Sequence, residues 1–514
     1  MKKRKTLLVV SFGIILFSLV PGGGRLFAQP QQTRDETVYY IRHITFYREG
    51  ISQPYALRNA AELTEGETLI GKEALVQYVQ EKEQLLLNQR ALASVRVEYI
   101  LAEPDGDGRI PVDLTIYTKD TWNIIALPYF KYDSNTGLEV SAKARDYNFL
   151  GILQPLKIDL GYTIDREPLN ELDFKQGTLF IELDSNFPFR AFDLNWDLDS
   201  DHTFGYTYQY GFEYQTSTGL GVSFPVGFTT LTVKAYQGVY VNEENSSEYK
   251  ATEGERFADY WYLSNWLQTD WEIPTGLKVN GLGKLTYTPS ARFQYNYRPW
   301  GDIGQQRIGP TGTLSHTLSF GRTDWVGNFR RGLEVSLANS NTYNFYKEIW
   351  SRNITATIMG HYPVFSWLGL SSRLYGVYYF DDPNTSGAEP IRGILSSSVT
   401  AQYGLYLNTN FSFRLIRFVP SEWFGKKWMA LFDFEQQWSP FFDMALVKDP
   451  VHGREFSLQN AITTAGLEVV TFPYFMRSFY VRISVGFDIQ EALRIKGIPS
   501  GDYRSVFIGI GHHY

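Results

Sequence analysis

The chain has 514 residues, of which 43% are hydrophobic, 16% aromatic and 20% charged, and 48 basic against 55 acidic residues leave a net charge of -7. The acidic balance argues against nucleic acid as a partner, and the length exceeds one small domain. There is no Cys, which fits an exported chain that avoids disulfides in an oxidising compartment and excludes a lipid-modified N-terminal Cys.

Lys2, Lys3, Arg4 and Lys5 precede the apolar run Leu7–Val20, and Ala28 precedes Gln29. That order predicts a secretory signal peptide over residues 1–28, because the run is shorter than the roughly 18–20 apolar residues of a spanning helix. Its removal takes five basic residues, Arg25 included, so the mature charge is about -12. A linker, 29–37, leads to a small α+β domain over 38–120. There the pattern predicts a strand (Tyr39–Tyr47), a short helix (Tyr55–Leu63), a longer helix (Gly71–Leu87) and a hairpin of Val95–Leu101 with Ile110–Tyr117. Pro104-Asp105-Gly106-Asp107-Gly108 reads as the hairpin's turn, because Asp-Gly pairs adopt the positive φ that tight turns need. It lacks the further ligands and closing Glu of a calcium loop.

From Thr121 helical periodicity gives way to short strands. Leu405, Leu407, Phe411, Phe413 and Leu415 alternate with Tyr406, Asn408, Asn410, Ser412 and Arg414, and Phe479–Ile489 repeats the period of two. One face suits lipid and the other an aqueous lumen, so residues 121–514 are predicted to form an all-β transmembrane antiparallel barrel. At roughly two dozen residues per strand with its loop, about sixteen strands result. The 35 Tyr, 36 Phe and 12 Trp suit aromatic belts at both interfaces. Outer-membrane lipid is then a partner. Tyr249–Tyr262 and Phe380–Pro390 read as long external loops.

No His-Glu-x-x-His, Gly-x-Ser-x-Gly or phosphate-binding loop occurs. The adjacent His512 and His513 would point to opposite faces of a strand. Neither enzymatic activity, cofactor nor metal is expected. Arg392, in a long loop, would need a carboxylate if it folded back into the lumen, and Asp433 is the candidate. The alternative is an exposed loop Arg with no fixed partner. Gly393 beside it would allow a tight turn.

With these motifs the chain resembles the BamA/TamA superfamily of outer-membrane assembly and translocation barrels. Residues 38–119 resemble one POTRA domain, and Asp146-Tyr147-Asn148-Phe149-Leu150-Gly151 is similar to a turn between early barrel strands. Ile391-Arg392-Gly393-Ile394 resembles the family's loop motif, with Ile394 where an aromatic is usual. Leu431-Phe432-Asp433 resembles a downstream strand motif whose acid faces the lumen. Ala465-Gly466-Leu467 and Phe507-Ile508-Gly509-Ile510-Gly511 resemble the last strands, and Tyr514 the terminal aromatic that assembly machinery reads. The resemblance implies a barrel that helps insert, assemble or translocate unfolded β-rich client polypeptides, with a periplasmic domain and periplasmic accessory proteins. Phe507, Gly509, Gly511 and Tyr514 would form a weak closing seam, since Gly lowers strand pairing. The rival readings are a passive porin, a structural surface barrel, or a translocator dedicated to one secreted partner.

Overall fold

The computed structural model describes residues 37–510 apart from 134, 136, 165–176, 208–210, 242–260, 280–282 and 301–308. The expected signal peptide, most of the linker, residues 249–260 of the expected Tyr249–Tyr262 loop, and Gly511, His512, His513 and Tyr514 lie outside the described residues.

The N-terminal sheet has the order β2-β1-β4-β3, from β1 (Val38–Glu49), β2 (Thr68–Ile70), β3 (Leu92–Leu101) and β4 (Ile110–Asp120). Helices α1 (Pro54–Ala60) and α2 (Lys72–Leu87) pack on it. β1 and β4 run parallel in the middle, and the pairing shifts between Ile41 and His43. At that irregularity Arg42 forms an ion pair with Asp113 through both carboxylate oxygens. Ile41, Leu57, Leu75, Leu86, Leu92, Val112, Leu114 and Ile116 make the core, at roughly 1.5–3 kcal/mol for each large side chain withdrawn from water. In the hairpin turn the Asp105 carboxylate accepts from the Asp107 and Arg109 N–H groups. The three-residue strand β2, between the helices, is an addition to the expected order.

Eighteen antiparallel strands, β5–β22, run from Ile124 to Ile510 and close into a barrel. The expectation of about sixteen is corrected. Turns at the end nearest the small domain are as short as two residues, at Phe192-Asp193, Gly227-Phe228, Gly327-Asn328 and Ser366-Trp367, so each hairpin consumes less chain. Among the described residues, no helix is long and apolar enough to cross a membrane. The strands cross instead. Leu405, Leu415, Ile483 and Val485 stand exposed on the outer face, while Asn408, Arg482 and Ser484 are buried on the inner one. The fold is an outer-membrane-type β-barrel.

The small domain sits against one mouth of the barrel. Asp120 accepts hydrogen bonds from the Ile51 and Ser52 N–H groups and the Ser52 hydroxyl. The fully buried Asn148, in the turn after β6 (Gly137–Asp146), donates to Ser52 and Asp120. Asp146–Gly151 is thus the early turn the sequence suggests, and it is also the domain's socket.

Candidate functional site: a lumen latch beside a short seam

The loop between β17 (Leu368–Tyr379) and β18 (Tyr403–Phe418) folds into the lumen instead of standing outside the barrel. Side chains of the wall hold the arm that leads to Arg392. Arg373 and Asn408 donate to the Pro390 carbonyl at 2.8 and 2.9 Å, and the Tyr406 hydroxyl donates to Gly387 O at 2.7 Å. Ile391 and Ile394 are buried in an apolar cluster with Val399, Tyr406, Val447 and Ile462. An aliphatic residue at 394 therefore fits the packing.

Arg392 is 5% exposed and its partner is Asp443, which is fully buried. Nη2 lies 2.6 Å from Oδ1, Nε lies 2.9 Å from Oδ2, and the backbone N–H of Arg392 donates to Oδ2 at 3.0 Å. Two parallel guanidinium contacts plus a main-chain donor form the strong, geometrically specific kind of carboxylate pair. The guanidinium also lies 3.8 Å from the centre of the Phe441 ring, in the arrangement of a cation over an aromatic face. Glu468, 3.8 Å from Nη1, carries the network to Arg482 at 3.1 Å.

The expected Arg392–Asp433 pairing is corrected. Asp433 precedes β19 (Phe434–Lys448), at the barrel end nearest the domain, and accepts from the Ser421 N–H and hydroxyl. Leu431 and Phe432 lie in a short 3-10 turn and point outward, not along a strand. The acid that pairs with Arg392 is ten residues further on, in Phe441-Phe442-Asp443. It shares the inner face of β19 with buried Glu435, Gln437 and Ser439. That run of alternating polar residues was the available signal.

Gly393 has φ +93 and no room for a side chain, since an added Cβ would lie 2.8 Å from the Phe487 nitrogen. One built on Gly486 of β21 (Val481–Asp488) would meet the Phe441 ring at 2.7 Å and Gly393 Cα at 2.9 Å. The loop thus passes wall backbone at contact distance.

The same loop reaches both sides of the barrel's closure. Gly393 N–H donates to the Ser505 hydroxyl of β22 (Arg504–Ile510) at 2.7 Å. Ser396 N–H donates to Asn135, in the turn after β5 (Ile124–Asp133), also at 2.7 Å. Between β5 and β22, the described residues pair at two positions, Phe507 with Asp133 and Ile508 with Tyr132. By contrast, β21 and β22 pair at seven. Phe507 pairs across this seam, and Gly509 follows it on β22. Gly509 faces Tyr129, whose hydroxyl would be 2.7 Å from an added Cβ.

A second element, which sequence reasoning missed, enters the lumen from the domain end. The tip joining β14 (Pro310–Val326) to β15 (Phe329–Asn344) turns inward at Gly321 (φ +104) and Gly332 (φ +147). A Cβ on either would lie about 2 Å from a carbonyl oxygen of the other strand. The tip reaches β18 and β19, three and four strands further round the wall, where Gln437 donates to Asn328 O at 3.0 Å, and Phe329 is buried beneath Arg414. The domain grips it from below. Asn88 donates to Asp324 at 2.9 Å, Gln84 donates to Trp325 O at 3.1 Å, and the Arg90 guanidinium stacks 4.0 Å over the Trp325 ring. Burial pushes Arg90 down to about 10, so it stays charged at neutral pH. A pocket of about 40 Å³ lies between tip and wall, lined by Asn328, Phe329, Gln437 and Ser439. A larger cavity, about 960 Å³, lies between α2 and the wall near Arg322 and Glu334. Replacing Arg90 with Ala should loosen the tip, seen as faster proteolysis at Gly327-Asn328 with the barrel intact. An unchanged cleavage rate would show that the domain does not hold it.

No protein-family model matches the chain, and no curated protein matches it. Among solved structures it is similar to CdiB from Acinetobacter baumannii (12% identity, TM-score 0.47, 92% of this chain and 74% of that one). It is also similar to CdiB from Escherichia coli (10%, 0.39, 99% and 97%) and to a BamA from Haemophilus ducreyi lacking POTRA domains 1-3 (12%, 0.34, 92% and 84%). By its own strands and lumen, the chain is an outer-membrane-type barrel of eighteen strands with an inward loop latched beside its seam.

Proposed function

We propose that this barrel assists the insertion, assembly or translocation of other polypeptides at the outer membrane, with its POTRA-like domain in the periplasm. The observation that carries the reading is the seam between β5 and β22, paired at two positions among the described residues and bridged by the Arg392 loop. A solute pore needs an open lumen, and here the loop enters it from one end and the β14–β15 tip from the other. A wall that opens sideways needs a weak pairing and something to hold it shut. The loop's bonds to Ser505 and Asn135 do the holding.

The client would first add a strand to the small domain's sheet. Among the described residues, β3 pairs with β4 alone and so has a free edge. Glu83 accepts from the Val97 N–H at 3.1 Å, so an incoming strand has to displace that carboxylate. The reading includes neither an enzymatic step nor a cofactor. A translocator for one secreted partner is the narrower form of the same mechanism.

Depletion of the protein followed by an outer-membrane and secreted proteome tests the reading. Loss of many β-barrels would mark a general assembly role, and loss of one secreted protein a dedicated translocator. An unchanged proteome would overturn the proposal in favour of a passive barrel. A second expected result concerns conductance in planar bilayers. The intact chain should be nearly closed, and replacement of residues 386–398 by a Gly-Ser linker should open it. Steady high conductance from the intact chain would favour the porin.

A further inference from the structure

The connection from β18 to β19, at the end nearest the domain, is longer and more apolar than a turn requires. It comprises a helix, Pro420–Phe424, and a 3-10 segment, Lys427–Phe432. Trp423, Phe424, Trp428, Leu431 and Phe432 are each 57–64% exposed, too much apolar surface in eleven residues for water alone. The segment is nevertheless built firmly. Val419 and Pro420 are buried beneath it, Asp433 ties back to Ser421, and the Asp433 carbonyl accepts from Tyr474 N–H.

Its position says what covers it. Trp423 packs edge-on against Phe418 at 5.0 Å, and Phe418 packs against Phe434 across the β18–β19 pair. Phe418 is exposed on the barrel's outer face, as are Trp438, Phe365 and Trp367 at the same end. The apolar surface therefore continues the lipid-facing aromatic belt and does not face the lumen. Lys426 and Lys427, both exposed, sit between the two apolar segments. Aromatic and aliphatic side chains flanking lysines are the pattern of a segment lying in a membrane interface, its cations among anionic headgroups.

We propose that this connection is a docking surface for the phospholipid leaflet on the domain side of the membrane, with Lys426 and Lys427 contacting anionic headgroups. It rests on the barrel spanning a bilayer and holds whether or not the barrel has clients. The surface is fixed to β19, the strand that carries Asp443, so leaflet contact anchors the wall on which the loop is latched.

The test uses the Cys-free full chain with Trp428→Cys carrying an environment-sensitive fluorophore, reconstituted into phosphatidylethanolamine vesicles with and without phosphatidylglycerol. A label at exposed Leu458, in a far-end loop, is the aqueous control, and heat-stable gel mobility confirms folding of both. The expected result is a blue-shifted emission at position 428 that is quenched by headgroup-proximal spin-labelled lipid. The shift should be larger with phosphatidylglycerol, and that increment should be lost in Lys426→Gln/Lys427→Gln. Water-like emission without lipid quenching would overturn the proposal. A blue shift that lipid quenchers do not reach would overturn it too, because the face would then be covered by protein. Both outcomes are independent of the proteome result, which tests the client reading alone.

Discussion

Replacing Arg392 with Ala should cost the barrel on the order of 3–5 kcal/mol, the usual effect of removing one partner from a buried ion pair. The loss comes mainly from Asp443, which is fully buried and would keep only part of its hydrogen bonding. Asp443→Ala should cost a similar amount, for it removes the 2.6 Å carboxylate contact of the buried Arg392 and leaves Glu468 at 3.8 Å. The double variant should therefore lose less than the sum, with a coupling of roughly 1–3 kcal/mol. The fraction of heat-stable barrel by gel mobility reads this directly. Arg392→Ala with Asp433→Ala is the control, and those two should add, because Asp433 is held by Ser421 instead. Additivity in the Arg392–Asp443 cycle would mean the pair is not the latch. Protease access to the 386–398 segment should rise in both single variants.

That cycle also shows where sequence reading failed. Two similar tripeptides, Leu431-Phe432-Asp433 and Phe441-Phe442-Asp443, stand ten residues apart; the first resembles the strand motif, and the second carries the acid that pairs with Arg392. Leu431 and Phe432 are exposed because their solvent is lipid, and a lipid-facing turn has the same composition as a lipid-facing strand. Polar alternation is the better guide, since only a lumen wall keeps Glu435, Gln437, Ser439 and Asp443 on one side. That period also makes the barrel legible, whereas Arg392-Gly393 stands out only through the resemblance of Ile391-Arg392-Gly393-Ile394 to a known loop motif, since a charged residue followed by Gly recurs along this chain. The β14–β15 tip was not legible. Gly321 and Gly332 look like ordinary strand glycines until their positive φ values and the bend are seen. The strand number was missed because two-residue turns cannot be told from strand ends by composition.

Locking the seam should abolish function while leaving the barrel folded. The structure supplies the register: Tyr132 lies opposite Ile508, and opposed residues of an antiparallel pair have Cα atoms about 4.5–5.5 Å apart, within the span a disulfide bridges. The chain has no Cys, so Tyr132→Cys/Ile508→Cys introduces a single possible bridge. A bond here joins strands that share two register pairs among the described residues. It should raise the temperature at which the barrel unfolds, because it restrains the closure that separates first. If clients cross or enter the wall, oxidation should abolish their delivery and reduction should restore it, and each single-Cys variant should behave as the parent. A pore that passes solutes along its lumen would be indifferent to the bond. A fully oxidised seam that still supports a normal outer-membrane and secreted proteome would therefore exclude lateral opening. The loop contacts to Ser505 and Asn135 would then be a device for stability alone.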